Sequence, residues 1–316
     1  MPQIILFSGS ANPHLAGAVA RELAIPLGRA TVERFPDGEV SVHLNESVRN
    51  REVFILQPTA PPVDPNLMEL VAFADAARRA AAGRIVAIVP YFGYARSDKR
   101  GERRDPIMAS AVAAMLQGAG VDHVVTIDPH SPQLEGYFRI PIDTLSAVTT
   151  LALSLRHRVP QNAVIVAPDV GALRLATRYA DIIDRPVVVM HKRRATARAT
   201  LVTHIVGDVE HRPALIVDDM ISTGETIRRC VDALLGAGAQ PEMIVAATHG
   251  LFLEGAPHKL DVVSVREVVV TDTIVQTFWP KLKTVSVAAL IAGAINRAIG
   301  PTVDESVPFE AVGTTD

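Results

Sequence analysis

The chain holds a single cysteine, Cys230, in 316 residues. One thiol excludes an intrachain disulfide and any cysteine-built zinc site, and it fits a reducing compartment. Aromatic residues make up only 4%, which leaves little material for stacking the bases of a single-stranded nucleic acid. Charge of one sign is also missing: 31 Lys+Arg stand against 34 Asp+Glu, a net −3. A polyanion binder would carry a basic surplus, so no nucleic-acid partner is expected. No apolar run approaches the about 18 residues of a membrane-crossing helix. The start, Met1-Pro2-Gln3-Ile4-Ile5-Leu6, lacks the basic region of a signal peptide. The expectation is a soluble, cytoplasmic protein with no membrane contact, whose length is about twice the roughly 150 residues of one domain.

What the chain has is alternation. Short apolar runs at 3–7, 53–56, 84–89 and 123–127 predict buried strands, and helical spacing marks 14–24, 67–82 and 106–118. The pattern recurs with strands at 163–166, 186–190, 214–217 and 243–247 and helices at 171–180, 226–235 and 287–298. Near-continuous Val/Ile runs alternating with helices predict an α/β fold of parallel sheets covered on both faces. A duplicated fold is plausible, with its boundary between Ile142 and Asn162.

Such sheets bind ligands beyond the carboxyl ends of their strands, so the residues that follow each strand matter. After 84–89 comes Tyr91-Phe92-Gly93-Tyr94-Ala95-Arg96-Ser97-Asp98; after 123–127 comes Asp128-Pro129-His130; after 163–166 comes Pro168-Asp169. The sharpest signal is Asp218-Asp219-Met220-Ile221-Ser222-Thr223-Gly224-Glu225-Thr226, which follows a strand and opens a helix. A helix N-terminus offers free N–H groups and a positive dipole end to a phosphate. Ser222, Thr223 and Thr226 add hydroxyls, and Gly224 lets backbone approach closely. Two carboxylates suit sugar hydroxyls, directly or through a divalent cation. Together they describe a ribose-5-phosphate cradle; capping the helix alone would need one Asp or Ser. Neither G-x-x-x-x-G-K-[ST] nor G-x-G-x-x-G occurs, so a P-loop or dinucleotide site has no support.

This loop resembles the phosphoribosyl-diphosphate loop of type I phosphoribosyltransferases and of ribose-phosphate diphosphokinases. Phe35-Pro36-Asp37-Gly38-Glu39, the Tyr91–Asp98 strip, Asp128-Pro129-His130, Pro168-Asp169 and His191-Lys192-Arg193-Arg194 stand in the order of the second family, and the likeness runs from about Gln3 to about Ala298. It implies two similar type I phosphoribosyltransferase-like domains, each a mostly parallel sheet with helices on both faces. The N-terminal, ATP-binding domain would span 1–145, the ribose-5-phosphate domain 146–300, and a polar tail 301–316.

The resemblance also implies the chemistry, a Mg²⁺-assisted transfer of the β,γ-diphosphoryl group of ATP to the 1-hydroxyl of ribose 5-phosphate. Lys192 would be the transition-state cation, and Arg194 would contact the sugar phosphate or the transferred group. ATP would meet Phe35, Asp37, Gly38 and Glu39 together with Arg96, Ser97 and Asp98. Ribose 5-phosphate would meet Arg194, Asp218, Asp219 and the run from Ser222 and Thr223 through Gly224, Glu225 and Thr226. His130 and Asp169 would be magnesium-associated. In the family the Phe35 segment serves a neighbouring subunit, so a homo-oligomer, a hexamer by resemblance, would share the nucleotide site. By itself Pro36-Asp37-Gly38 is a tight turn between strands.

Three departures stand out. Many relatives have Asp where Ser222 stands, and Glu225 puts a carboxylate beside the phosphate position, tolerable if only its N–H faces the ligand. His191 stands where Asp is frequent. The Ser-Thr-Gly form is similar to that of archaeal-type members, whose regulation differs from that of phosphate-activated bacterial ones. Two other functions compete: a non-catalytic regulatory relative, against which Lys192, His130 and Asp169 all stand, and a phosphoribosyltransferase, against which the N-terminal motifs stand.

Overall fold

The computed structural model describes residues 4–194, 201–253 and 255–299. The polar tail and Arg198 lie outside the described residues, as do the side chains of Lys192, Arg193 and Arg194.

The first half runs β1 (Ile4–Ser8), α1 (Pro13–Glu22), a hairpin of β2 (Ala30–Arg34) and β3 (Val40–Leu44), then β4 (Glu52–Leu56), α2 (Val63–Arg79), β5 (Arg84–Val89), α3 (Met108–Ala119), β6 (His123–Ile127) and β7 (Ile142–Leu145). The second half runs α4 (Val148–Leu155), β8 (Val164–Ala167), α5 (Leu173–Ile183), β9 (Val187–Arg194), β10 (Leu201–Val206) and β11 (Ala214–Ile221). It finishes with α6 (Glu225–Gly236), β12 (Met243–Gly250), α7 (Ala256–Leu260), β13 (Val265–Thr271), β14 (Leu282–Val285) and α8 (Ala288–Ile299).

The duplication is visible in strand order. One sheet is β1-β4-β5-β6-β7, all parallel; the other is β10-β9-β8-β11-β12-β13-β14, parallel except for the β9–β10 pair. Each half therefore lays down one strand, makes a two-stranded antiparallel excursion, and returns to add four parallel strands in chain order. The halves differ in where the excursion goes. β2–β3 stands as its own two-stranded sheet, whereas β9–β10 extends the main sheet.

Alternation of side chains across each pleat divides the core. Ile85, Ala87 and Val89 of β5 face α2 and α3 with Leu70, Phe73 and Leu116, while Val86 and Ile88 face the opposite way. On that opposite side Leu15 and Val19 of α1, Leu151 and Leu155 of α4, Tyr179 of α5 and Ile291 and Ile295 of α8 form one cluster with Ile165, Leu215 and Ile244 of the second sheet. The two sheets thus share a layer of helices, and α6 and α7 cover the outer face of the second. Burying such apolar faces is the main favourable term in folding. This shared layer fixes the carboxyl ends of β6 and β11 relative to one another.

Two boundaries differ from expectation in ways that matter. β11 continues to Ile221, so Asp218 and Asp219 lie on the strand, paired alongside β12 (Asp218 opposite Ala247, Met220 opposite His249). β9 likewise continues to Arg194, and the basic run is extended strand backbone, Lys192 opposite Thr203 and Arg194 opposite Leu201, rather than a loop after the strand. In both places the neighbouring strand continues the hydrogen-bonded ladder and overrides the polar side chains.

Candidate active site

A cavity of about 310 Å³ opens where β11 gives way to α6. Its walls carry Asp169, Asp218, Asp219 and the run Ser222–Thr226 from the second half, and Arg96 and His130 from the first. The floor is built by local geometry. Gly224 adopts φ +72°, the left-handed region, as the residue preceding α6, and a Cβ there would meet Ala256 O and Leu260 Cγ at 3.4 Å each. Backbone bonds from Leu251 to Ile221 O and from Leu253 to Ser222 O brace the turn at 2.9 and 3.0 Å. No side chain caps α6, so its first N–H groups, which lack intrahelical partners, stay available to an anion.

Glu225, at the first turn of α6, has its carboxylate tied down. Arg229 Nε donates to Oε1 at 2.8 Å and Lys259 Nζ lies 3.6 Å from Oε2. The hydrogen bond and charge of Arg229, joined by Lys259, hold Glu225 below the usual carboxylate range. Arg229 stands four residues on, a spacing visible in sequence as a helical ion pair; Lys259 comes from α7 and is not.

His130 crosses the seam between the halves: its Nδ1 lies 2.6 Å from Asp219 Oδ2. That hydrogen bond raises the imidazole above its ordinary value. Burial pushes Asp219 upward, but the bond from His130 and its charge outweigh it, leaving Asp219 below the ordinary range. Asp218 goes the other way, well above, because it is buried and adjoins charged Asp219, whose N–H it accepts at 3.0 Å. Two adjacent carboxylates with separated affinities for protons, opposite an imidazole, make a proton- and cation-sensitive wall.

The remaining predicted residues divide. Asp169 borders the cavity and also accepts Ala172 N–H at 3.2 Å, the capping bond expected of an Asp at a helix start. Ser97 and Asp98 are occupied locally: Ser97 Oγ accepts Met108 N–H at 3.3 Å, and Asp98 accepts Ser131 Oγ at 2.6 Å while its carbonyl receives the Tyr137 hydroxyl. Phe35, Asp37, Gly38 and Glu39 form the tip of the β2–β3 hairpin and do not line the cavity. Asp37 accepts Glu39 N–H at 3.1 Å, Gly38 has φ +95°, and Phe35 stands 54% exposed. Lys192 and Arg194 sit on β9 by backbone. Among the described residues, no three His, Cys, Asp or Glu are grouped to hold a metal.

A profile described as the N-terminal domain of ribose phosphate pyrophosphokinase matches residues 4–120, and one described as a phosphoribosyl synthetase-associated domain matches 194–307. The ribose-phosphate pyrophosphokinase of Thermotoga maritima is 42% identical over 296 residues, 92% of this chain and 94% of the relative. That of Chromobacterium violaceum is 43% identical over 299 residues, 93% and 91% of the two chains. A crystal structure of phosphoribosylpyrophosphate synthetase from Mycobacterium smegmatis superposes with a TM-score of 0.88 at 38% identity, over 94% of this chain and 98% of that one.

Proposed function

The chain belongs to the ribose-phosphate pyrophosphokinase family, and from that premise we infer how its residues carry the reaction. It is an ATP-dependent transferase acting in nucleotide biosynthesis: the β,γ-diphosphoryl group of ATP passes to the 1-hydroxyl of ribose 5-phosphate, giving phosphoribosyl diphosphate and AMP. A new bond forms between the sugar O1 and the β-phosphorus, the α–β bridging bond breaks, AMP leaves with the bridging oxygen, and the hydroxyl proton goes to solvent.

The observation that carries the assignment of residues is the cavity itself, where Arg96 and His130 of one half face the Asp218–Thr226 segment of the other. The 5-phosphate docks on the uncapped start of α6 with Ser222, Thr223 and Thr226 donating hydroxyls and Gly224 giving close backbone access. Glu225 does not repel it, because Arg229 and Lys259 neutralise its carboxylate. Asp218 and Asp219 accept the ribose hydroxyls. Arg96 meets the polyphosphate, and Lys192 and Arg194 bring cations to the transferred group, where charge builds in the transition state.

Magnesium would be held mainly by phosphate oxygens and water, with Asp169 or the Asp218–Asp219 pair on the cavity wall supplying one or two hard oxygen donors, since no three such side chains are grouped among the described residues. When bound it neutralises phosphate oxygens and polarises the phosphorus centre. With His130 already bonded to Asp219, the imidazole orients that carboxylate rather than acting as a direct ligand.

Residues 1–145 serve ATP and 146–300 serve the sugar phosphate. The exposed Phe35 tip, away from the cavity of its own chain, supports a nucleotide site completed by a neighbouring subunit in a homo-oligomer, a hexamer by likeness to the family. A cytoplasmic location belongs to this reading; no helix among the described residues is long and apolar enough to cross a membrane. Incubation with ATP, ribose 5-phosphate and Mg²⁺ tests the function: AMP should accumulate with phosphoribosyl diphosphate in equal amounts. Absence of AMP, with or without added inorganic phosphate, would overturn it.

A further inference from the structure

β12 reads Met-Ile-Val-Ala-Ala-Thr-His-Gly, wholly buried, and it ends in polar residues inside the seam between the halves. His249 is 1% exposed. Its Nε2 lies 3.0 Å from Ile127 O and 3.2 Å from Asp128 O, both of the other half, and its Nδ1 lies 2.9 Å from Thr273 Oγ1. Carbonyl oxygens only accept, so Nε2 carries the hydrogen. Burial holds the imidazole below its ordinary pKa, and the neutral ring leaves Nδ1 to accept from the Thr273 hydroxyl. The ring is also gripped by Tyr91, edge-on at 5.1 Å between centroids.

The residue it holds is an unusual one. Asp128 has φ +37°, a conformation strained for a side chain with a Cβ. Its carboxylate accepts three donors: Ser146 Oγ at 2.7 Å, Ala147 N–H at 2.9 Å and, from the other half, Thr248 Oγ1 at 2.8 Å. Two residues later the chain delivers His130 to Asp219. On the far side, His249 stands opposite Met220, the neighbour of Asp219, in the β11–β12 register. Both partners of the His130–Asp219 contact are therefore set by one cross-seam clasp.

We propose that His249 and Thr248 are positioning residues: by clasping the strained Asp128 across the seam, they hold His130 against Asp219 and so align the two halves of the active site. The clasp touches no substrate. It acts on the chemical step through alignment, where a displacement of about 1 Å can lower turnover about 100-fold. This rests on the reading of His130 and Asp219 as active-site groups.

Side-chain isosteres test it. A glutamine amide places a nitrogen where His249 has Nε2 and can donate to the carbonyls; an asparagine amide places one only at the Nδ1 position. With phosphoribosyl diphosphate formation followed in the full-length protein, H249N should lose about 100-fold in kcat. Its KM values for ATP and ribose 5-phosphate should stay within about threefold, and H249Q should recover most of the loss. H249N and H249Q with the same kcat, whether high or low, would overturn the clasp, since only the glutamine keeps a donor at the Nε2 position facing the Ile127 and Asp128 carbonyls. Should H249N fail to fold, Thr248→Val removes one donor to Asp128 in a near-isosteric change. A kcat loss at constant KM supports the proposal, and unchanged kcat contradicts it. His130→Ala separates the levels: full activity there refutes the underlying reading of the site, whereas an impaired H130A beside an intact H249N refutes the clasp alone.

Discussion

Glu69 is a carboxylate that the chemistry does not use, and removing it gives a prediction with a calculable size. The side chain is 0% exposed on α2. Ser10 N–H and Ser10 Oγ, just past β1, each reach it at 2.6 Å, and Arg34 at the end of β2 lies 3.5 Å away while also donating to Pro65 O at 3.2 Å. Glu69 therefore ties the hairpin that carries Phe35 to the body of the first half. Charge-assisted hydrogen bonds contribute about 1.5–3 kcal/mol each. Arg34 is 38% exposed, so solvent screens its share to well under about 1 kcal/mol. Ser10 is exposed and can find water once Glu69 is gone, and truncation also removes the cost of burying a charge, so the bonds are not lost at full value. Glu69→Ala should cost about 2 kcal/mol, and Glu69→Gln, which keeps one acceptor, about 1 kcal/mol. Urea unfolding measures both. The hairpin reading adds a kinetic consequence: Glu69→Ala should raise KM for ATP about tenfold, equivalent to about 1.4 kcal/mol, with KM for ribose 5-phosphate unchanged. A stability loss below about 0.5 kcal/mol, typical of surface sites, refutes the energetic argument. Equal effects on both substrates refute the coupling to the hairpin.

Other outcomes are expected. Lys192→Ala should reduce turnover by about 10³-fold in a protein that unfolds at the same urea concentration as wild type; near-normal turnover removes Lys192 from the chemistry. Arg229→Ala frees the Glu225 carboxylate beside the phosphate site and should raise KM for ribose 5-phosphate, while Glu225→Gln should not; the reverse order contradicts the neutralisation argument. His249, with its folded-state pKa depressed by burial, contributes stability that is complete above its unfolded value of about 6.5 and declines as pH falls below it. The stability difference between wild type and H249Q should therefore be flat above about pH 7 and fall by up to about 1.4 kcal/mol per pH unit below about 6.5. A difference that stays flat from pH 5 to pH 8 argues that this imidazole does not stay neutral.

Much of the fold was legible because the buried strands are nearly uniform. Val-Ile-Val-Ala of β8 or Ile-Val-Ala-Ile-Val of β5 admit few other readings, and the hydroxyl-glycine turn before α6 carries its own chemistry. The hairpin tip at Pro36–Gly38 was readable as a turn from residue type alone. Strand ends were not, because continued pairing with a neighbour, as between Asp218 and Ala247, is a tertiary fact. For Glu225 the Arg229 partner is a helical spacing readable in sequence, but Lys259 reaches it from another helix. The contacts that assemble the site join residues far apart in the chain: His130 and Asp219 are separated by 89 positions, Thr248 and Asp128 by 120. His249 left only a faint trace, an imidazole beside Thr248 near the end of a strand that begins apolar.

O1 of ribose 5-phosphate attacks the β-phosphorus of ATP in the cavity between the halves. Positional isotope analysis tests it most directly. With ribose 5-phosphate freshly labelled with ¹⁸O at O1, label should be retained between C1 and phosphorus in phosphoribosyl diphosphate, with unlabelled AMP in equal amount and no ADP. ¹⁸O in the AMP, or ADP as the nucleotide product, would refute attack by O1 on the β-phosphorus.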